Sequence, residues 1–187
     1  VTGQGATSVP GSLPGRVADL PAAGKTRYIT LNEVAPETKD WSLNLNALDF
    51  ESSGANHPEM PTVGTVEDWV WVNMTGDTHP MHTHLVTHQV VGRTPFDVDR
   101  FQADHGGTHG VPGGIDPTPY ATGPMEPPDP TERGFKDTTK ANPGYFTTVR
   151  AKFDLPTGVT APQTYVYHCH IVEHEDNDMM LPFTVVP

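Results

Sequence analysis

The sequence has a single cysteine, few basic residues and no long hydrophobic run. With only Cys169, the chain cannot form an internal disulfide bond. Eleven lysines and arginines stand against 23 aspartates and glutamates, which gives a formal net charge of −12. Nucleic acids and anionic membrane surfaces attract positively charged faces, so this charge argues against both as partners. No apolar stretch approaches the roughly 20 residues that a membrane-spanning helix requires, and we therefore expect no membrane association.

Helical patterning is also absent, because no apolar stripe at helical spacing extends over a useful length. Twenty prolines and 18 glycines interrupt the chain, and β-branched and aromatic residues collect in short alternating runs. Seven such runs predict strands at residues 27–33, 41–47, 65–73, 84–92, 145–155, 163–170 and 181–187. Short strands separated by turn signals predict an all-β chain folded as a β-sandwich.

Three segments fall outside the predicted strands. Residues 1–25 are rich in glycine, proline, alanine and serine, which predicts a linker or an extended arm. Residues 51–64 are predicted to form a loop, and residues 93–142 a much longer and mostly irregular one. So long a loop inside a compact domain is usually functional or mobile. The folded domain is therefore expected to comprise residues 26–187.

Six histidines and the cysteine fall in two short segments. The segment THPMHTHL carries His79, His82 and His84, and the segment YHCHIVEHEDNDMM carries His168, Cys169, His170, His174 and Met179. Imidazole, thiolate and thioether donors together favour copper. Two histidines and one cysteine in a trigonal plane, with a weak axial methionine, make an electron-transfer copper site.

The spacing of these residues indicates two metal sites that share one strand. Cys169, His174 and Met179 follow one another at five-residue intervals, and a strand that ends in a loop can bring all three to one metal. His79 is a candidate for the second histidine of that site. The remaining four histidines form two H-x-H pairs, and residues i and i+2 of a strand face the same way. We therefore expect each pair to point at one spot, while the cysteine between one pair points to the opposite face.

Plainer interpretations of some of these residues are also available. Isolated histidines are usually surface or hydrogen-bonded residues. We interpret four histidines in this way: His57, His88, His105 and His109. One H-x-H pair alone could bind zinc or arise by chance, and Met179–Met180 could belong to the core, because methionine packs well. Two pairs together with a cysteine and a methionine at this spacing favour copper.

The two motifs resemble those of the multicopper oxidases. HPMHTHL resembles their H-P-x-H-x-H motif, and HCHIVEHEDNDMM resembles their H-C-H-x3-H-x4-M motif. The similarity is to the C-terminal cupredoxin domain of three-domain enzymes, in the branch of spore-coat laccase, bilirubin oxidase and phenoxazinone synthase, which also shares PTVGTVEDW, GRTPFDVDRFQ and GFKDT. It covers residues 60–187 well and 27–59 weakly, and it implies a cupredoxin-like Greek-key β-sandwich. One departure is Leu85, where many laccases outside this branch have glycine.

The resemblance implies copper roles for eight residues. The type 1 copper, which takes electrons from the substrate, would be bound by His79, Cys169, His174 and Met179. The type 2 copper would be bound by His82, and the type 3 pair by His84, His168 and His170. Glu175 matches an acidic residue that helps to deliver protons; its plainer interpretation is a solvated charge beside Asp176. The implied reaction is one-electron oxidation of a phenolic, aminophenolic or bilirubin-like donor, coupled to reduction of dioxygen to water.

The chain carries only half of the histidines that the resemblance implies for the trinuclear copper cluster. That cluster has eight histidine ligands, four from the last domain and four from the first, and this sequence contains no further H-x-H pair. We therefore expect a C-terminal domain of a longer oxidase, partnered by an N-terminal cupredoxin domain. The linker-like residues 1–25 and the absence of a first methionine agree with this expectation. Alone, the chain is expected to hold type 1 copper without reducing dioxygen.

Other functions are compatible with part of the pattern. A stand-alone blue-copper electron-transfer protein needs only the type 1 ligands and leaves both H-x-H pairs unexplained. A structural module that holds copper or zinc would show no blue band with Cu(II). Several copies of the chain could pair their half-clusters only if those faces were self-complementary. The four additional histidines favour the oxidase over the electron carrier.

Overall fold

The computed structural model describes residues 17–34, 42–48, 50, 59–107 and 110–187. Its strands are β1 (Lys25–Val34), β2 (Ser42–Leu45), β3 (Val66–Asn73), β4 (His79–Thr83), β5 (His88–Pro95), β6 (Phe135–Lys136), β7 (Thr138–Ala141), β8 (Tyr145–Lys152), β9 (Gln163–Cys169) and β10 (Met180–Val185). The helices α1 (Val98–His105) and α2 (Val172–Asp176) and short 3-10 turns at Thr118–Tyr120 and Pro130–Glu132 lie between strands. Within the described ranges, no helix is long and apolar enough to cross a membrane.

The strands form two sheets that pack as a cupredoxin-like β-sandwich, which confirms the predicted fold class. One sheet has the strand order β2-β1-β3-β8-β5-β6, and the other has the order β10-β9-β4-β7. β1 and β3 pair in parallel, whereas the other paired strands are antiparallel. Because strands distant in sequence are neighbours in each sheet, β4 and β9 bring the two histidine-rich segments side by side.

An aromatic cluster forms the centre of the core. Its five large rings are at most 2% exposed: Trp69, Trp71, Phe153, Tyr167 and Phe183. The ring centroid of Trp69 lies 5.3 Å from those of both Phe153 and Tyr167. Burial of each such side chain stabilises the fold by roughly 1.5–3 kcal/mol. Tyr167 and Cys169 belong to the same core cluster, so aromatic packing fixes the face of β9 that carries the cysteine.

All seven predicted strands are present, with ends that differ by up to four residues. The structure adds three strands, β4, β6 and β7. β4 has the sequence HPMHT, in which only Thr83 belongs to the β-branched and aromatic residues that usually indicate a strand. β6 and β7 comprise two and four residues, too few to show an alternating pattern.

Residues 93–142 are more regular than their composition predicts. Asp97 caps α1 by accepting a hydrogen bond from a backbone N–H of the first turn at 3.1 Å, and Phe101 is the buried residue of that helix. Arg93 makes two hydrogen bonds of 2.7 Å to the carboxylate of Glu132, which ties the far part of the segment to β5. A helix with a single buried residue produces no apolar stripe, which explains why the pattern does not predict it.

The expected arm at residues 1–25 is described from residue 17 onward. Residues 17–24 form no regular element and lie against β5. The backbone N–H of Leu20 donates to Gln89 Oε1 at 2.7 Å, and Gln89 Nε2 donates to the Ala18 carbonyl at 2.9 Å. Residues 1–16, and residues 51–58 of the predicted loop, lie outside the described residues.

Candidate metal centres

β4 and β9 pair in a register that brings the two histidine motifs together. His82 is paired with His168, and Met81 is paired with Cys169. Alternation along each strand sends successive side chains to opposite faces. Accordingly His79 and Cys169 are fully buried together, whereas the rings of His82 and His168 contact each other on the other side, with centroids 5.3 Å apart.

The first cluster consists of His79, Cys169 and His174. Cys169 Sγ lies 3.4 Å from His79 Nδ1 and 3.5 Å from His174 Nδ1, and the two Nδ1 atoms are 3.3 Å apart. Donor atoms that surround one ion at roughly 2.0–2.3 Å in a trigonal plane stand roughly 3.5–4 Å from one another. The three atoms therefore have nearly the spacing that one ion requires, and their chemistry suits copper.

Met179, the expected axial ligand, is fully buried and is tied to this cluster through its backbone. Its N–H donates to the His174 carbonyl at 2.9 Å, and its own carbonyl accepts a hydrogen bond from the Cys169 N–H at 3.0 Å. The chain returns from β9 to Met179 through α2 and a turn in which Asp178 has a φ of 63°. Backbone hydrogen bonds therefore hold these three residues close together without a metal.

Polar groups hold the outer nitrogen of His79. Thr75 Oγ1 lies 2.6 Å from His79 Nε2, and the same hydroxyl lies 2.9 Å from Asn73 Oδ1. Glu33 Oε1 lies 3.3 Å from that nitrogen. When His79 is protonated at Nε2 and donates to Thr75, its Nδ1 lone pair is available on the side of the cysteine.

Burial suppresses charge in the metal-free first cluster. Burial, followed by the influence of His174, lowers the pKa of His79 to about 4. Burial likewise raises the pKa of the Cys169 thiol to about 11. At neutral pH the histidine is then a ready lone-pair donor, whereas the thiol keeps its proton. A bound cation would reverse the preference of the thiol, because metal binding favours the thiolate and releases a proton.

The second cluster contains both H-x-H pairs. His84 Nε2 and His168 Nε2 are 3.3 Å apart, and the ring centroid of His82 lies 5.0 Å from that of His84. The ring centroid of His170 lies 5.7 Å from that of His82 and 5.3 Å from that of His168. His82 Nδ1 donates to the Asp137 carbonyl at 2.9 Å, which leaves its Nε2 for a metal. His84 and His170 are exposed, so this cluster is open to the surface of the chain.

Glu175 lies between the second cluster and solvent. Its Oε2 atom is 3.6 Å from His168 Nδ1 and 3.7 Å from His170 Nδ1, and its side chain is 37% exposed. His168 Nδ1 also donates to the Cys169 carbonyl at 3.0 Å. The carboxylate is therefore about half an ångström too far from each of these two histidines to form a hydrogen bond.

Two of the four isolated histidines belong to the described part of the chain, and both are hydrogen-bonded as predicted. His88 Nε2 lies 2.6 Å from Thr139 Oγ1, and burial lowers the pKa of His88 to about 4. His105 Nε2 lies 2.9 Å from a tyrosine hydroxyl. His57 and His109 lie outside the described residues.

Two carboxylates that the sequence motifs do not indicate lie beside the first cluster. Asp77 Oδ2 is 4.0 Å from His174 Nε2, and Glu33 contacts His79 as described above. Asp77 precedes His79 by two residues, so the local sequence could have indicated that it lies near the cluster. The local sequence gives no such indication for Glu33, because the parallel pairing of β1 with β3 brings Glu33 to the cluster. Burial, followed by the influence of Asp77, raises the pKa of Glu33.

Sequence comparisons match the chain to known copper oxidases. The family model for multicopper oxidase matches residues 23–187. A laccase of Bacillus subtilis is 42% identical over 127 residues, which cover 68% of this chain and 21% of that protein. Multicopper oxidase LPR1 homolog 3 of Oryza sativa is 37% identical over 188 residues, which cover 92% of this chain and 34% of that protein. The chain thus spans about a third or less of the length of these relatives.

Solved structures share the fold of the chain. A multicopper oxidase from Campylobacter jejuni, described as a metallo-oxidase, is similar with a TM-score of 0.67 and 18% identity, over 94% of this chain and 33% of that one. The McoA multicopper oxidase from Aquifex aeolicus is similar with a TM-score of 0.64 and 24% identity over the same shares. At these identities the likeness concerns the fold alone.

Proposed function

Because this chain belongs to the multicopper oxidase family, whose cofactor is copper, we propose that it is the C-terminal domain of a laccase-like oxidase. One observation carries the proposal. The register of β4 with β9 leaves a His–Cys–His cluster on one side of the paired strands and a histidine cluster on the other. Adjacent residues of one strand therefore belong to two different candidate metal centres. In this proposal residues 1–25 are the arm that leads into the domain at 26–187.

The first cluster would hold type 1 copper through His79, Cys169, His174 and Met179. Copper bound by such a donor set exchanges single electrons with a reductant. Complete burial of Cys169 and Met179 excludes water from the thiolate side of the site. With its proton at Nε2, donated to Thr75 Oγ1, His79 would leave Nδ1 free to bind.

The second cluster would supply half of a trinuclear copper centre. His82 would bind type 2 copper, and the type 3 pair would be bound by His84, His168 and His170. Exposure of His84 and His170 leaves room for further ligands from outside the chain. We assign that role to an N-terminal cupredoxin domain. Since His168 and His170 flank Cys169, one or two peptide units would connect the two centres and provide a short covalent path for electrons.

Glu175 would deliver protons to the second cluster. Its carboxylate contacts solvent and lies within 3.7 Å of two cluster histidines. A carboxyl group in such a position can take a proton from water and release it toward the site of dioxygen reduction.

The proposed electron donors are phenolic, aminophenolic or bilirubin-like compounds, and the proposed acceptor is dioxygen. The alternative is a stand-alone blue-copper electron-transfer protein, which would leave the clustered rings of His82, His84 and His168 without a function. The isolated chain is expected to behave as such a carrier, because half of the ligands for dioxygen reduction must come from another domain.

Loading the purified chain with Cu(II) tests the type 1 site. We expect an intense visible thiolate-to-copper band and no oxygen consumption with a phenolic donor. Cys169→Ser should abolish the band, whereas Asp99→Asn, at an exposed position on α1, should retain it, with circular dichroism checking the fold of both. A colourless Cu(II) complex of the wild-type chain would contradict the type 1 assignment. Oxygen consumption by the isolated chain would contradict the half-cluster.

A further inference from the structure

A cavity of about 440 Å³ lies beside the first residues of β1, at a distance from both histidine clusters. Glu33, which contacts the first cluster, follows Arg27 by six residues on this strand. A strand rises about 3.3 Å per residue, so the two residues are about 20 Å apart. We call this space the β1 cavity, and its described walls include Lys25, Arg27, Tyr28, Asn46, Leu48 and Glu59.

The β1 cavity leads from solvent to a buried polar floor. Lys25 and Thr26 are exposed and lie at its mouth, whereas Arg27, Asn46 and Glu59 are at most 8% exposed. Ligand cavities typically combine a volume of a few hundred cubic ångströms with a small number of convergent polar groups. The volume and the graded exposure of this cavity are therefore those of a site for a small molecule.

Two of the three buried side chains on this floor are held by other residues. Arg27 Nε donates to Glu67 Oε2 at 2.6 Å, and its Nη2 donates to Glu67 Oε1 at 3.1 Å, so a carboxylate balances its charge. Asn46 Oδ1 accepts the Thr30 N–H at 3.0 Å, and its Nδ2 donates to Glu59 Oε1 at 3.2 Å. These bonds fix the floor in place.

The second oxygen of Glu59 is the exception. Oε2 is buried and has no hydrogen-bond partner among the described residues. Tyr167 and Arg27 favour the ionised form of this carboxyl group, but burial outweighs them and raises its pKa to about 7. A buried acceptor without a donor destabilises the fold, and a ligand that donates a hydrogen bond to it removes that cost.

An ammonium group is the donor that complements this floor. It supplies N–H groups, and its positive charge favours the ionised form of Glu59. The positive charge of Arg27 is already paired, and that of Lys25 lies at the exposed mouth, where salt screens it. The half-buried side chains of Tyr28 and Leu48 offer apolar surface to the rest of the ligand.

We propose that the β1 cavity binds small primary amines with a compact apolar body, whose ammonium group donates a hydrogen bond to Glu59 Oε2. Neither candidate metal centre takes part, so copper is not required for binding. A copper-free chain that binds amines would leave the proposed oxidase function untouched, and loss of that function would leave amine binding untouched.

Three probes of similar size and different charge test the ligand class on the copper-free chain: benzylamine, benzyl alcohol and benzoate. The N–H of Gly114, which lines the β1 cavity, donates to the Tyr28 carbonyl at 2.7 Å. We expect benzylamine to shift the backbone amide resonances of both residues in a saturable manner and to bind more tightly than the other two probes. Equally tight binding of benzyl alcohol or benzoate, or no saturable shift with benzylamine, would overturn the proposal.

The pH dependence of benzylamine binding shows whether Glu59 is the partner. With a pKa of about 7, the ionised fraction of Glu59 rises about tenfold between about pH 6 and about pH 8. Benzylamine stays protonated over this range, so its affinity should rise by up to about tenfold. Of the other groups that face Glu59, arginine keeps its charge in proteins, and burial raises the pKa of Tyr167 well above its ordinary value.

A matched pair of variants isolates this carboxyl group. Glu59→Gln should weaken benzylamine binding and remove its pH dependence. Glu126→Gln makes the same change at an exposed position that does not line the β1 cavity and should retain both. Affinity and pH dependence that are unchanged in Glu59→Gln would refute the assignment of Glu59.

A second pair of variants leaves the floor intact and closes the mouth. Thr26→Trp places a large side chain at an exposed wall position, whereas Thr164→Trp places it at an exposed position on β9, away from the cavity. We expect loss of benzylamine binding in Thr26→Trp alone, with circular dichroism checking the fold of both chains. Full binding by Thr26→Trp would place the amine site elsewhere and overturn the proposal.

Discussion

Leu85 occupies a backbone conformation that normally suits glycine. Its φ is 71°, and the N–H of Val86 donates to the carbonyl of His84 at 2.8 Å across it. A bond from residue i to i+2 around a positive φ forms a γ-turn, which is strained for a residue with a side chain. The half-buried Leu85 side chain packs against the core and offsets this strain. Glycine, which many laccases have here, would satisfy the backbone without packing.

Substitutions at Leu85 should therefore rank in an unusual order. Leu85→Ala loses the packing of the side chain but keeps the backbone strain. Leu85→Gly loses the same packing but relieves the strain. We expect the alanine variant to be less stable than the glycine variant by about 1 kcal/mol. Urea denaturation of both variants and the wild type measures this difference. A glycine variant less stable than the alanine variant would show that the turn carries little strain.

Between elements, a buried hydrogen-bond network connects β1 and the turn after β2 to β9. Asn46 Nδ2 lies 3.2 Å from Glu59 Oε1 and 3.4 Å from the Tyr167 hydroxyl, and the Thr30 N–H donates to Asn46 Oδ1 at 3.0 Å. Burial raises the pKa of Glu59 to about 7, against the opposing influences of Tyr167 and Arg27. Glu59 therefore holds its proton more tightly in the folded chain than an exposed glutamate does.

The raised pKa of Glu59 makes the free energy of unfolding depend on pH. Its ordinary pKa is 4.5, so the folded chain binds this proton more tightly than the unfolded chain does. The contribution is fully present below pH 4.5 and is lost as pH rises through about 7. We expect the wild type to lose about 2–3 kcal/mol more than Glu59→Gln between about pH 5 and about pH 8.

Urea unfolding at the two pH values checks this expectation. Glu126→Gln makes the same chemical change at an exposed carboxyl, and this control should follow the wild type. An equal pH dependence in the wild type and Glu59→Gln would mean that Glu59 does not take up a proton on folding.

Across the whole molecule, local pattern predicts the sheets better than it predicts their connections. β3 and β8 are identified from sequence because β-branched and aromatic residues extend along their length. β4 is not, since four of its five residues are two histidines, a proline and a methionine, which seldom indicate a strand. α1 is also not predicted from sequence. Only Phe101 of that helix is buried, so the helix has no apolar stripe.

The candidate site, like the fold, is predictable from local sequence only in part. Alternation within one strand predicts that Cys169 faces away from His168 and His170, and the structure has this arrangement. Convergence of Glu33 on His79 depends on the pairing of β1 with β3, for which the sequence near either residue carries no signal. The cluster residues are thus predictable from spacing, while the charged groups around them depend on long-range topology. Their roles as copper ligands remain predictions.

The aromatic core described above has an optical consequence. The ring centroids of Trp69 and Trp71 lie 5.3 Å and 5.8 Å from that of Tyr167, which precedes Cys169 by two residues in the same core cluster. Cu(II) quenches the fluorescence of nearby indoles, so binding of Cu(II) to the first cluster should reduce the fluorescence of both tryptophans.

A Cu(II) titration followed by tryptophan fluorescence tests this, in a Trp41→Phe background that removes the remaining indole. We expect quenching that saturates with the copper that enters the first cluster, and little quenching when Cys169→Ser is added. Equal quenching in both chains would place the quencher elsewhere. If the expected result is obtained, the core of the fold reports Cu(II) occupancy of the first cluster by ultraviolet emission.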